Sequence, residues 1–177
     1  GKRVAFPRSV QPPHSPILTM IGASLLWVGW FGFNGGSALG AGSGAGMAIL
    51  VTHIAAATAS LVWMVIEWAR FGRPSLVGIV TGMVAGLATV TPASGYIGVP
   101  GGLILGLVGG IACYIGVELV RVQMRIDDSL DVFAVHGVGG IVGSLLVALV
   151  LAAEQGAVGP SRLFELANEL WRARADE

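Results

Sequence analysis

One ionisable side chain, His136, stands inside an apolar run long enough to cross a bilayer, from Asp131 to Ala153. Imidazole in hydrocarbon is costly unless it meets a partner, a cavity or a conduction path, so an intramembrane histidine is a functional candidate by default. Gly137, Gly139 and Gly140 beside it let neighbouring backbones come close enough to line such a cavity. A second constellation lies far upstream, where Trp30, Phe33 and Ser37 fall at i, i+3 and i+7 and so share one helix face. Aromatic faces attract cations, most strongly when desolvated, and a hydroxyl near a helix end replaces lost hydration. The same spacing also suits an aromatic belt with lipid-facing neighbours, although Trp30 lies deep for a belt position. Both constellations suit a site at membrane depth that meets something small and polar.

The remaining polar residues have plainer readings. No second His, Cys or carboxylate is spaced to join His136 on its helix, so neither a metal nor another cofactor is expected. His53, beside Thr52, is read as an interfacial or packing histidine, and His14 lies among prolines. Asp128 and Ser129 precede the last apolar run and suit a helix N-terminus, where they cap free N–H groups. Glu67 and Glu118 lie within pairing reach of Arg70 and Arg121. The single Cys113 excludes an internal disulfide and is read as a small packing residue. Zero net charge gives no general argument for a nucleic-acid partner. No nucleophile elbow, zinc-protease motif or phosphate loop is present, so the chain is not expected to be an enzyme. Transport or sensing is left.

The elements that must position these residues are legible from charge. Only 11% of the 177 residues are charged and mean hydropathy is +0.80, whereas a soluble domain carries about 25% charged residues. No charge occurs between Arg8 and Glu67, between Arg73 and Glu118, or between Asp131 and Glu154. At about 20 residues per span, these gaps predict five transmembrane helices, at roughly 17–39, 47–69, 76–97, 101–122 and 131–153. Lys2, Arg3 and Arg8, then Arg70 and Arg73, then Arg121 and Arg125 mark alternate loops. The positive-inside rule places those loops in the cytoplasm and sends the first span outward. Gly78, Gly82 and Gly86, and then Gly102, Gly106 and Gly110, form four-residue stripes that predict close helix packing. Residues 160–172 are read as a short amphipathic helix. Gly1 in place of Met predicts a piece of a longer protein.

Gly29–Ser37, Thr91–Gly98 and Asp127–Gly143, with Glu67–Ser75, resemble the ammonium transporter family (Amt/MEP/Rh), on its Amt side. The resemblance covers residues 1–153; the tail 154–177 does not resemble the family's eleventh helix and is taken as divergent or truncated. It implies an all-α integral membrane fold in which the five helices form the second inverted-repeat half of an eleven-helix transporter. It implies a multi-pass protein of the cell (inner) membrane, homotrimeric when full length, each subunit holding its own narrow pore. It implies that His136 is similar to the second of two pore histidines and Trp30 to the pore-lining tryptophan. Phe33 is similar to one of two gating phenylalanines, and Ser37 to the hydroxyl of the outer recruitment site. The partners implied are ammonium or ammonia, with methylammonium as analogue, membrane lipid, and a PII-type signal protein on the cytoplasmic face. The alternatives are an ammonium sensor module coupled to a cytoplasmic partner, or an inactive half-transporter.

Overall fold

The computed structural model describes residue 6 and residues 13–154. Helix α1 spans Pro16–Gly36, α2 Ser43–Phe71, α3 Leu76–Val90, α4 Val99–Glu118 and α5 Val138–Glu154. A π-turn at Leu119–Gln123 extends α4, and a second at Phe133–Gly137 leads into α5. Among the described residues there is no strand. The basic residues Lys2, Arg3 and Arg8 and the expected amphipathic helix at 160–172 lie outside the described residues.

Local chemistry fixes the helix ends. Ser15 caps α1 by accepting from the Leu18 N–H at 3.3 Å, with Pro16 in the first turn, where its missing N–H is harmless. Gly72 closes α2 in the left-handed conformation, φ 75°, and its N–H returns to the Trp68 carbonyl. Ser75 then caps α3 through the Gly78 N–H at 2.8 Å. The Glu67 carboxylate holds that cap, accepting from the Ser75 N–H at 2.6 Å and its hydroxyl at 3.0 Å. Glu67 is thereby committed to the α2–α3 corner and not to Arg70.

α2 is the spine of the bundle. Ala48, Val51, Thr52, Ala55, Ala56 and Ala59 are sealed from solvent along it, and both glycine stripes pack onto that face. A Cβ at Gly82 would lie 2.7 Å from the Ala59 carbonyl oxygen, and one at Gly106 would lie 2.7 Å from that of Ala55. Gly86 presses on the same Ala55 peptide from α3. Small residues on both sides bring three backbones together, as the four-residue spacing predicts. α5 joins through Gly139 and Gly143, which both close on Thr89 of α3, whereas Gly140 faces open space. Of the three glycines beside His136, Gly139 is the one that makes the close approach to a neighbouring helix.

α3 departs from the expected span 76–97. It contains 15 residues, about 22 Å at the α-helical rise, short of the roughly 30 Å hydrocarbon core. Pro92 ends it by removing an N–H and crowding the preceding turn. Residues 91–96 continue as turns, with the Ala93 N–H on Val90 and the Tyr96 N–H on Ala93. Ala93 and Ile97 are buried in a core cluster with Val51, Ala55 and Leu105, so this irregular backbone is shielded by protein. The other four apolar helices are long enough to cross a membrane. α1 buries only Ala23, Asn34 and Gly35 and exposes Ile17, Leu25 and Val28, an apolar outer surface suited to lipid or protein.

Candidate functional site

Trp30 is the hub. The buried Asn34 amide donates to the Thr52 hydroxyl at 2.9 Å, which donates in turn to the Ala48 carbonyl at 2.6 Å, fixing α1 against α2. From that platform the Trp30 indole N–H donates to the Thr91 hydroxyl at 2.8 Å. Thr91 spends its own proton on the Leu87 carbonyl at 2.7 Å, so its oxygen is left as an acceptor aimed at the indole. The His136 imidazole stacks on Trp30 with centroids 6.1 Å apart and planes 24° apart. Phe33 meets Trp30 edge-on at 5.8 Å. Three of the four residues singled out from sequence thus form one row, His136–Trp30–Phe33, contributed by both ends of the chain.

Ser37, the fourth, terminates α1. Its hydroxyl donates to the Phe33 carbonyl at 2.7 Å, which leaves its lone pairs as acceptors at an exposed position one turn beyond the phenyl ring. The row is uncharged. It offers two π faces, an imidazole and a hydroxyl oxygen, a set that can hold a small N–H donor by cation–π contact and hydrogen bonding. It cannot offset dehydration of a strongly hydrated ion. His136 and Phe33 are both exposed on the open side of the bundle, Phe33 by 60%.

His53 belongs to another face. It stacks on Trp27 at 5.1 Å and tilts against Phe31 at 6.0 Å, and is itself exposed. Asp128 supplies the cap expected before the last span. Its carboxylate accepts from the Val132, Phe133 and Ala134 N–H groups at 3.0, 2.8 and 3.2 Å, while Ser129 lies in the turn that follows it. The arginine pairings differ from those expected by proximity in sequence. Arg70 takes the Tyr114 hydroxyl at 3.1 Å and Glu118 at 3.7 Å, and Arg121 pairs with Asp131. Thr91 is not foreseen as a site residue from the sequence, although a hydroxyl at the Pro-terminated end of an apolar helix is its signal. The Asn34–Thr52 bond carried no comparable signal.

The Ammonium Transporter Family model matches residues 1–172. The chain belongs to the ammonium transporter family. The match runs into the tail, beyond residue 153. Ammonium transporter Amt1 of Archaeoglobus fulgidus is 51% identical over 150 residues, covering 85% of this chain and 38% of that protein. The ammonium transporter of Aquifex aeolicus is 46% identical over 137 residues, covering 77% of this chain and 32% of its own. Among solved structures, Saccharomyces cerevisiae Mep2 superposes with a TM-score of 0.72 at 43% identity, covering 76% of this chain and 31% of Mep2. A sensor Amt protein superposes with a TM-score of 0.75 at 36% identity, covering 77% and 34%. The chain therefore spans about a third of the length of these relatives. Family and apolar helices together make it a multi-pass membrane protein.

Proposed function

We propose that these helices form one wall of a pore through which ammonium or ammonia crosses the cell membrane, and that His136, Trp30, Phe33 and Ser37 line it. The observation that carries the reading is the uncharged His136–Trp30–Phe33 row on the open side of the bundle. Ammonium is collected at the outer end by the Ser37 oxygen and the neighbouring π faces, each cation–π contact contributing about 0.5–2 kcal/mol as water is lost. Phe33 narrows the entrance. Beyond it the imidazole of His136, braced on Trp30, supplies the hydrogen-bonding partner that water no longer provides. Transfer of the ion, or of ammonia with a relayed proton, satisfies the same lining.

A wall with His136 exposed needs an opposing wall, because a polar ring left in hydrocarbon is unfavourable. We assign that wall to the rest of an eleven-helix, homotrimeric subunit, in which this chain is the second of two inverted halves. The sensor Amt relative shares the architecture, so the same wall serves sensing when occupancy is read by a cytoplasmic partner. Transport takes precedence because the Archaeoglobus and Aquifex relatives are named transporters. A PII-type signal protein fits the basic cytoplasmic ends at Arg70, Arg73 and Arg125, all of them exposed.

Methylammonium uptake in an uptake-deficient strain tests the proposal. The full-length subunit should lose uptake or selectivity on His136→Ala and Trp30→Leu at unchanged membrane abundance, and residues 1–177 alone should give none. Wild-type uptake by both full-length variants would refute the assignment of the row, and robust uptake by residues 1–177 would refute the single-wall reading.

A further inference from the structure

In an uninterrupted α-helix, His136, Gly139 and Gly143 stand at i, i+3 and i+7 and share one face. Gly139 and Gly143 are buried and close on Thr89 of α3. Regular geometry would therefore aim His136 into the α3–α5 contact. It is instead exposed and stacked on Trp30. The π-turn Phe133–Gly137 makes the difference, because its extra residue per turn shifts the ring off the glycine face. The Val138 N–H reaches back to the Phe133 carbonyl, five residues away, as a π-turn requires.

Such a turn persists only where its surroundings hold it, and here it is held from three sides. Asp128 accepts the three N–H groups of Val132, Phe133 and Ala134, and the Val135 N–H goes to the Asp131 carbonyl at 2.8 Å. The Cys113 thiol of α4 donates to the Val135 carbonyl at 3.5 Å, inside the turn, and Ala134 and Val135 are buried against Tyr114, Val117 and Val120. Asp131, in the left-handed conformation at φ 52°, pairs with Arg121, which itself lies in the other π-turn, at the end of α4. That pair is largely buried, with side-chain exposure of 23% for Arg121 and 10% for Asp131.

We infer that the Arg121–Asp131 ion pair is a positioning device for His136: it locks the two π-turns together and thereby sets the angle at which the imidazole meets Trp30. Neither residue belongs to the aromatic row, and both act through the backbone of 131–137. The inference rests on the pore-lining role proposed for His136.

The test is a double-mutant cycle in the full-length subunit, read as methylammonium uptake per folded subunit. Asn tolerates the left-handed backbone, so Asp131→Asn removes the charge without new strain. Asp131→Asn and Arg121→Gln should each lower uptake by about twofold to thirtyfold, the range that coupling through a packed network supplies. In a His136→Ala background the same changes should cause no further loss, because the residue they position is gone. A merely structural pair would lower the folded amount and leave uptake per folded subunit unchanged, and a pair acting on another part of the pore would cause the same fractional loss in both backgrounds; either result would overturn the inference. If Asp131→Asn lowers the folded amount, Arg121→Lys makes the same comparison with the cation retained and the planar fork lost. If His136→Ala itself leaves uptake unchanged, the proposed pore role fails. If it lowers uptake while the pair variants do not, only the positioning inference fails.

Discussion

Thr91→Val is the sharpest single test of how the site is held. The substitution keeps the volume and removes the oxygen that accepts the Trp30 indole at 2.8 Å. Two magnitudes bear on it. Inter-helix hydrogen bonds within a bilayer average about 0.6 kcal/mol, with a maximum near 1.7, while a buried donor left without a partner costs about 1–3 kcal/mol. Trp30 is half-buried, so its N–H is not fully enclosed when the acceptor is lost, and about 1 kcal/mol is expected. Thermal unfolding of the detergent-solubilised full-length subunit reads that loss. Methylammonium uptake reads the release of the ring, which should fall further than stability alone explains because His136 and Phe33 both lean on Trp30. Thr91→Ser keeps the hydroxyl and should behave like the wild type, and Trp30→Phe should make Thr91→Val nearly silent. If Thr91→Ser proves as damaging as Thr91→Val, methyl packing rather than the hydrogen bond holds the ring, and the reasoning is wrong.

Further outcomes are expected. Gly106→Val drives a side chain into the Ala55 backbone, 2.7 Å away from its first carbon, and should abolish folded subunit, whereas Gly22→Ala, with nothing within 4 Å, should not; expression yield and melting temperature decide. Phe33→Ala should change selectivity between ammonium and larger amines at near-normal abundance, while Phe31→Ala, which loosens the His53 stack, should change abundance more than selectivity. Cysteine probes at Ser43 and at Tyr96, 71% exposed, should label from outside and one at Pro74 should not. Labelling of Pro74 alone would invert the topology deduced from the basic loops.

What could be foreseen follows the range of the forces involved. Span positions follow from where charge is absent, a local property, and α1, α2, and α4 and α5 taken with their π-turns, fall close to the expected limits. The glycine stripes were legible because four-residue spacing fixes a face whatever the partner. Trp30, Phe33 and Ser37 share a face for the same reason, and His136 stands out through its cost in hydrocarbon. Partner choice was not legible. Arg121 lies close to Glu118 in sequence yet pairs with Asp131, because the chain reverses between α4 and α5 and brings the aspartate alongside. The π-turns were hidden because five residues such as Phe133–Gly137 have no composition that distinguishes them from helix. The early end of α3 had a visible cause in Pro92, but apolarity continues through Ile97 and masked it.

That early end has an electrostatic consequence. Every peptide of α3 points its carbonyl toward Thr91, so the helix carries about half a negative elementary charge at its C-terminal tip. A full-length span would deliver that partial charge to the membrane surface, where water and salt screen it. α3 stops short, and its tip touches the Trp30 indole through Thr91. In the pore proposed above, the resulting potential acts beside the aromatic row and favours a positive guest over an anion of the same size. The proposed passage thereby gains a sign preference from the backbone, which uncharged substitutions in the aromatic row would leave in place.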